Sequence, residues 1–145
     1  MLKCLKLILP IILFTTGLVA HGQSLIGMPK DRVEAVVELE HKEFRRDNSV
    51  VKQHFNYLKF VNGAKTRTWI LYFTDEDICK TSKLVCDYSD FDEVVEELST
   101  SHEKVGDSKW EYQQGANAIQ VTLTKQEWYF TVRETLKKEE EERQN

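Results

Sequence analysis

The chain has 145 residues, with 24 acidic against 20 basic side chains. This length allows one buried core and hardly a second. A net charge of −4 repels phosphate backbones and argues against nucleic acid as a partner. After residue 22 no segment is apolar enough to cross a membrane as a helix.

Residues 1–22 have the layout of a secretory signal peptide. Lys3 and Lys6 give a positive start, residues 7–18 are almost wholly apolar, and Ala20 and Gly22 are small residues before a cut at Gln23. The apolar run is shorter than the about 20 residues of a membrane helix and contains Pro10. Cys4 lies far from the cut, so it is not the first residue of a lipoprotein. The expected product is exported to the periplasm or the medium, without a lipid anchor. Cutting after residue 22 leaves 18 basic against 24 acidic residues, a net charge near −6.

In the expected domain, residues 23–135, a first helix is predicted over 29–40. Pro29 suits a first helical turn, and Val33, Val36 and Val37 recur at helical spacing. Residues 54–61 and 66–74 read as strands joined through Asn62-Gly63, a dipeptide that accepts hairpin turns. Loops of two or four residues both put Leu58, Phe60, Trp69, Leu71 and Phe73 on one face. A further strand is expected over 78–88.

A second helix is predicted behind Ser89 and Asp92, a pair resembling a capping box, with Phe91, Val94, Val95 and Leu98 as its apolar stripe. Three strands follow, at 109–113, 118–124 and 127–135. A four-residue loop pairs Trp110 with Val121 and Tyr112 with Ile119. A two-residue loop then pairs Leu123 with Trp128, Val121 with Phe130 and Ile119 with Val132. The expected fold is therefore α+β: two helices packed on one face of an antiparallel sheet, in a pseudo-repeat of helix plus three-stranded meander. Residues 136–145 form a charged C-terminal tail, a frayed helix or disordered.

Candidate chemistry is sparse. Cys79 and Cys86 remain after processing, and a bridge between them would contribute about 2.5 kcal/mol by loop entropy. On a continuous strand they would point to opposite faces roughly 23 Å apart. Either the segment bends into a bonded loop or the thiols stay free. Neither cysteine has a zinc-ligand neighbour, and the acid runs at 75–77 and 87–92 lack the alternation of a calcium loop, so neither metal nor cofactor is expected. His41, His54 and His102 fall in no catalytic motif, and no catalytic residue is assigned.

The three tryptophans are expected in the core. On the wet face, Tyr57, Tyr72 and Tyr129 lie with Lys59, Ile70 and Arg133. Tyr and Arg are enriched at contact sites, so these six are the candidate partner-binding residues.

The run Gly27-Met28-Pro29-Lys30-Asp31-Arg32-Val33 resembles the Gly-Met-Ser/Thr-x-x-x-Val helix start of small SmpA/OmlA-type envelope assembly proteins. The tandem layout resembles the β-lactamase-inhibitor-protein architecture. These resemblances imply non-enzymatic binders built from helices on an antiparallel sheet, some lipid-anchored. This chain has no lipobox cysteine, and Pro29 replaces the hydroxyl residue, so neither anchorage nor assembly carries over. Tyr72-Phe73-Thr74, Cys79, Leu98, Val105-Gly106-Asp107 and Trp110 are similar to small exported bacterial proteins of unknown function. The expected function is binding of another protein or an envelope component, without catalysis. The alternatives are a small hydrolase or transferase whose groups converge only in space, and an inhibitor or immunity-type protein.

Overall fold

The computed structural model describes residues 24–49 and 54–144. The signal-peptide reading of residues 1–22 lies outside them.

Helix α1, Lys30–Glu40, begins directly after Pro29, whose φ of −62° is set by its ring. Val33 and Val37, one turn apart, bury fully against the sheet. The approach to α1 is pinned by backbone bonds: Gly27 N–H donates to Cys79 O at 2.7 Å and Cys79 N–H to Met28 O at 2.8 Å. Gly27 has φ +86°, a conformation that side chains other than glycine rarely adopt.

Four strands follow: β1 Phe44–Arg46, β2 Tyr57–Asn62, β3 Arg67–Phe73 and β4 Cys79–Asp87. A 3₁₀ turn, Tyr88–Asp90, leads into α2, Phe91–Ser101. Then come β5 Glu103–Gly106, β6 Lys109–Gln114, β7 Asn117–Lys125 and β8 Tyr129–Leu136, and finally α3, Lys137–Gln144. All eight strands form one antiparallel sheet in the order β1-β2-β3-β4-β8-β7-β6-β5. The order is symmetric about the β4–β8 seam. Each half is a helix followed by a four-stranded meander, one strand more than the sequence pattern suggests. The added strands β1 and β5 are the short, charged edges of the sheet, which resist edge-to-edge pairing.

Two apolar clusters lie on one sheet face. Leu58, Phe60, Leu71, Phe73 and Cys79 pack beneath Val33 and Val37 of α1, and Cys86, Trp110, Val121 and Phe130 beneath Val94 and Leu98 of α2. The face assignment from the sequence therefore holds for the first hairpin, but its register differs. Tyr57 pairs with Tyr72 and Val61 with Thr68, so the loop is longer than two or four residues. Asn62 closes it, its side-chain oxygen accepting Arg67 N–H at 2.9 Å. The expected pairs Trp110–Val121 and Tyr112–Ile119 are present.

The last hairpin slips by four residues from the expected register. Leu123 pairs with Val132, Val121 with Glu134 and Ile119 with Leu136. An even slip keeps each residue on its face, but it moves Trp128 off the strand into the turn, where it is 79% exposed instead of in the core.

Two further expectations are corrected. The pair Ser89 and Asp92 forms no capping box: α2 starts after Asp90 with no side-chain cap, because the Asp90 carboxylate is drawn to Thr66 and Arg67. Cys79 and Cys86 share the core face, because a bulge shifts the β3–β4 register between Tyr72–Thr81 and Phe73–Cys79 and leaves Lys80 as the extra residue. They are free thiols in separate clusters.

Candidate functional site

The open face of the sheet, away from the helices, carries the residues singled out for partner contact. Cross-strand pairing places Tyr57 beside Tyr72, Lys59 beside Ile70, Ile70 beside Lys83 and Lys83 beside Arg133. Five of the six candidates, Tyr57, Lys59, Ile70, Tyr72 and Arg133, thus occupy two adjacent rows. Tyr129 lies opposite Asp87, four residues or about 13 Å along β8 from Arg133, and stands apart from them. The Lys59 ammonium is held by Asp47 at 2.8 Å and by the Ser49 hydroxyl at 3.1 Å. The Lys59 bond first, and then hydrogen bonds from Ser49, whose backbone N–H donates to Asp47 Oδ1 at 2.9 Å, hold the Asp47 carboxyl far below the usual carboxylate range.

At the centre of this face Tyr72, Lys83 and Arg133 border a depression of about 370 Å³ whose remaining wall is threonine: Thr81, Thr122, Thr124 and Thr131. The Tyr57 and Tyr72 rings lie 6.3 Å apart. Burial lifts the Tyr72 hydroxyl above its ordinary pKa, a nearby Tyr57 adds to the rise, and Arg133 opposes it. Lys83 is a member of this row that the sequence reading passed over, although as an odd-numbered residue of β4 it alternates with Thr81 and Val85 onto the open face.

A second concavity lies on the helix side, between the C-terminal end of α1 and the flank of α2. It measures about 250 Å³ and has Ser82, Leu84, Val132 and Glu134 as its floor. Trp69 reaches across it, its indole N–H donating to Ser82 Oγ at 2.8 Å, with Phe44 and His41 packed against the ring at 5.3 and 5.0 Å. His41 Nδ1 is 3.8 Å from Glu43 Oε1. On the α2 side Arg67, 16% exposed, meets Asp90 at 2.9 Å, Glu93 at 3.0 Å and Glu97 at 3.7 Å. The guanidinium bond pulls the Asp90 carboxyl down, whereas burial raises that of the more distant Glu97.

Glu134 has a core-face position on β8, and its Oε2 accepts the Tyr112 hydroxyl at 3.0 Å. Burial raises the pKa of this acid, the Tyr112 bond only partly opposing it. Burial also pushes up the thiols of Cys79 and Cys86, each to about 12, which leaves them poor nucleophiles.

The cleft brings His41, Glu43, Arg67, Glu97 and Glu134 together, none of which the sequence reading selected. Glu134 could have been found by parity, since it alternates with Phe130 and Val132 onto the core face. Of the other four, His41 and Glu43 come from the turn after α1, Arg67 from β3 and Glu97 from α2. Among the described residues His41 and Ser82 share no hydrogen bond; Ser82 accepts from Trp69 and His41 lies against Glu43. Among the described residues no cluster of His, Cys, Asp and Glu could hold a metal ion, and no helix is long and apolar enough to cross a membrane.

No protein-family model, no curated protein and no solved structure matches this chain.

Proposed function

We propose that this is an exported, non-catalytic binding protein that docks an acidic segment of a partner protein on the open face of its sheet. The carrying observation is the Lys83–Arg133 pair. Two cations stand directly opposite one another at the centre of the face, in a chain that is acidic overall. Two adjacent cations form a local positive patch, and carboxylates of a bound partner would be drawn to it. Tyr72 and Ile70 beside the pair supply the apolar and aromatic contact area that binding surfaces favour.

The test uses a labelled Asp/Glu-rich peptide and fluorescence anisotropy. The wild-type protein is expected to bind it with an affinity that falls as salt rises, and the Lys83→Glu, Arg133→Glu double variant to bind at least about tenfold more weakly, a loss of 1.4 kcal/mol. Equal binding by the double variant overturns the site. Recovery of a chain starting at Gln23 or Ser24 from the periplasm or the medium tests export. A catalytic reading finds its best place in the helix-side cleft, where His41 lies beside Glu43. Ester hydrolysis lost in His41→Ala would favour it.

A further inference from the structure

The helix-side cleft is lined by more carboxyl groups than guanidinium groups. Arg67 is the guanidinium of the cleft, and three carboxylates, Asp90, Glu93 and Glu97, already surround it. Glu43 and Glu134 line the same space. On β8 the core-face neighbours of Glu134 are Val132 and Leu136, both packed against the apolar clusters. An acid at such a position costs stability relative to an apolar residue of similar volume; Tyr112 meets its Oε2 from below, and a cation in the open cleft would meet the carboxylate from the other side.

Cross-strand geometry sets an aromatic wall beside that acid. Glu134 pairs with Ser82, and the Trp69 indole reaches Ser82 Oγ at 2.8 Å, with Phe44 against the same ring. Aromatic rings offer a large apolar surface for an aliphatic stem. The volume of about 250 Å³ is below the about 300–1,000 Å³ of sites for drug-sized ligands, which suits a small group or a single side chain.

We propose that this cleft binds a primary ammonium carried on a short apolar stem, with the charge at Glu134 and the stem against Trp69 and Phe44. A free alkylamine and the lysyl side chain of a partner offer the same chemistry. The site lies on the opposite face of the sheet from Lys83 and Arg133, so it stands or falls independently of the open-face reading.

The experiment is an NMR titration of the full exported chain, following the Trp69 indole N–H. Three probes are added separately: pentylammonium, Nα-acetyl-lysine amide and the uncharged pentanol. Pentylammonium is expected to shift the signal to saturation, pentanol at least about tenfold more weakly. Glu134→Gln, which keeps an acceptor for Tyr112, is expected to weaken pentylammonium about tenfold while leaving the circular dichroism unchanged. Tighter binding of the blocked lysine than of pentylammonium assigns the site to a partner's side chain, and weaker binding assigns it to a free amine. Equal affinity for pentanol and pentylammonium overturns the proposal, and so does an absence of shift with all three. The wild-type comparison decides the matter even if the variant does not fold.

Discussion

The Tyr112 hydroxyl on β6 donates to Glu134 on β8 at 3.0 Å, across the intervening strand β7. This is the bond that makes an acid tolerable on the core side of the sheet. Burial raises the Glu134 pKa, so the folded state holds its proton to higher pH than the unfolded chain does. Stability from this group is therefore intact below the unfolded value, and declines as pH rises from there through the folded pKa. The charged and titratable groups around it are Tyr112 from β6, Cys79 from β4, Arg67 from β3, Glu97 from α2, and His41 and Glu43 after α1. Glu134→Gln is expected to raise Tm at pH 8 by a few degrees and to leave it unchanged near pH 4. Tyr112→Phe is expected to cost about 1–3 kcal/mol, because it removes the hydroxyl that donates to the acid among the described residues. Thermal melts at the two pH values check both.

Arg67 joins the start of β3 to the first turns of α2 through three carboxylates. Removing it leaves the Asp90 carboxylate, itself largely buried, without its main partner. Arg67→Ala is expected to destabilise by about 1–3 kcal/mol. Arg67→Lys should recover only part of that, since a single ammonium cannot meet three acids in the fork geometry of a guanidinium. Asp90 has a lowered pKa, so its contribution is present above the unfolded value and is lost as pH falls through the folded one. Urea titrations at pH 7 and pH 3 should show the Arg67→Ala deficit shrinking at the lower pH.

The sequence reveals face more reliably than register. Every loop error was even-numbered, so Leu58, Phe60, Val121 and Phe130 all reached the core even though their partners differed from those expected. Trp128 shows the limit, because hydrophobicity alone does not distinguish the end of a strand from a turn residue. Strands β1 and β5 were invisible because Phe-Arg-Arg and Glu-Lys-Val-Gly are too short and too charged to show alternation. The bulge at Lys80 carries no compositional mark, yet it alone decides which face Cys79 occupies. The open-face rows were largely legible. The cleft was not, since Arg67 and Asp90 meet only once β3 and α2 are packed.

Cys79 and Cys86 each sit about 1% exposed, with thiols pushed up to about 12. At pH 8 the thiolate fraction is then about 10⁻⁴, and the buried sulfurs are shielded from reagents as well. Iodoacetamide is expected to leave both unmodified in the native protein and to modify both in guanidinium chloride. Intact mass measures the count: two adducts on the chain cut after residue 22, three on the uncut chain, which retains Cys4. Rapid native labelling, or a mass showing a native disulfide, would refute the buried-thiol arrangement.

Lys83 and Arg133 face each other across the β4–β8 seam, where the two halves of the sheet join. Like charges directly opposed across a sheet are destabilising relative to a neutral pair. Lys83→Thr extends the threonine surface formed by Thr81 and Thr131 and removes that repulsion. The variant is expected to melt a few degrees higher at low ionic strength, with the gain shrinking in 1 M salt as screening weakens the original repulsion. The same substitution should weaken the acidic peptide, because one of the two central cations is gone. A gain in stability paired with a loss of binding is the signature of a residue kept for contact rather than for folding. If Lys83→Thr instead lowers Tm and leaves binding intact, the lysine is a structural member of the seam, and the open-face site must be placed elsewhere.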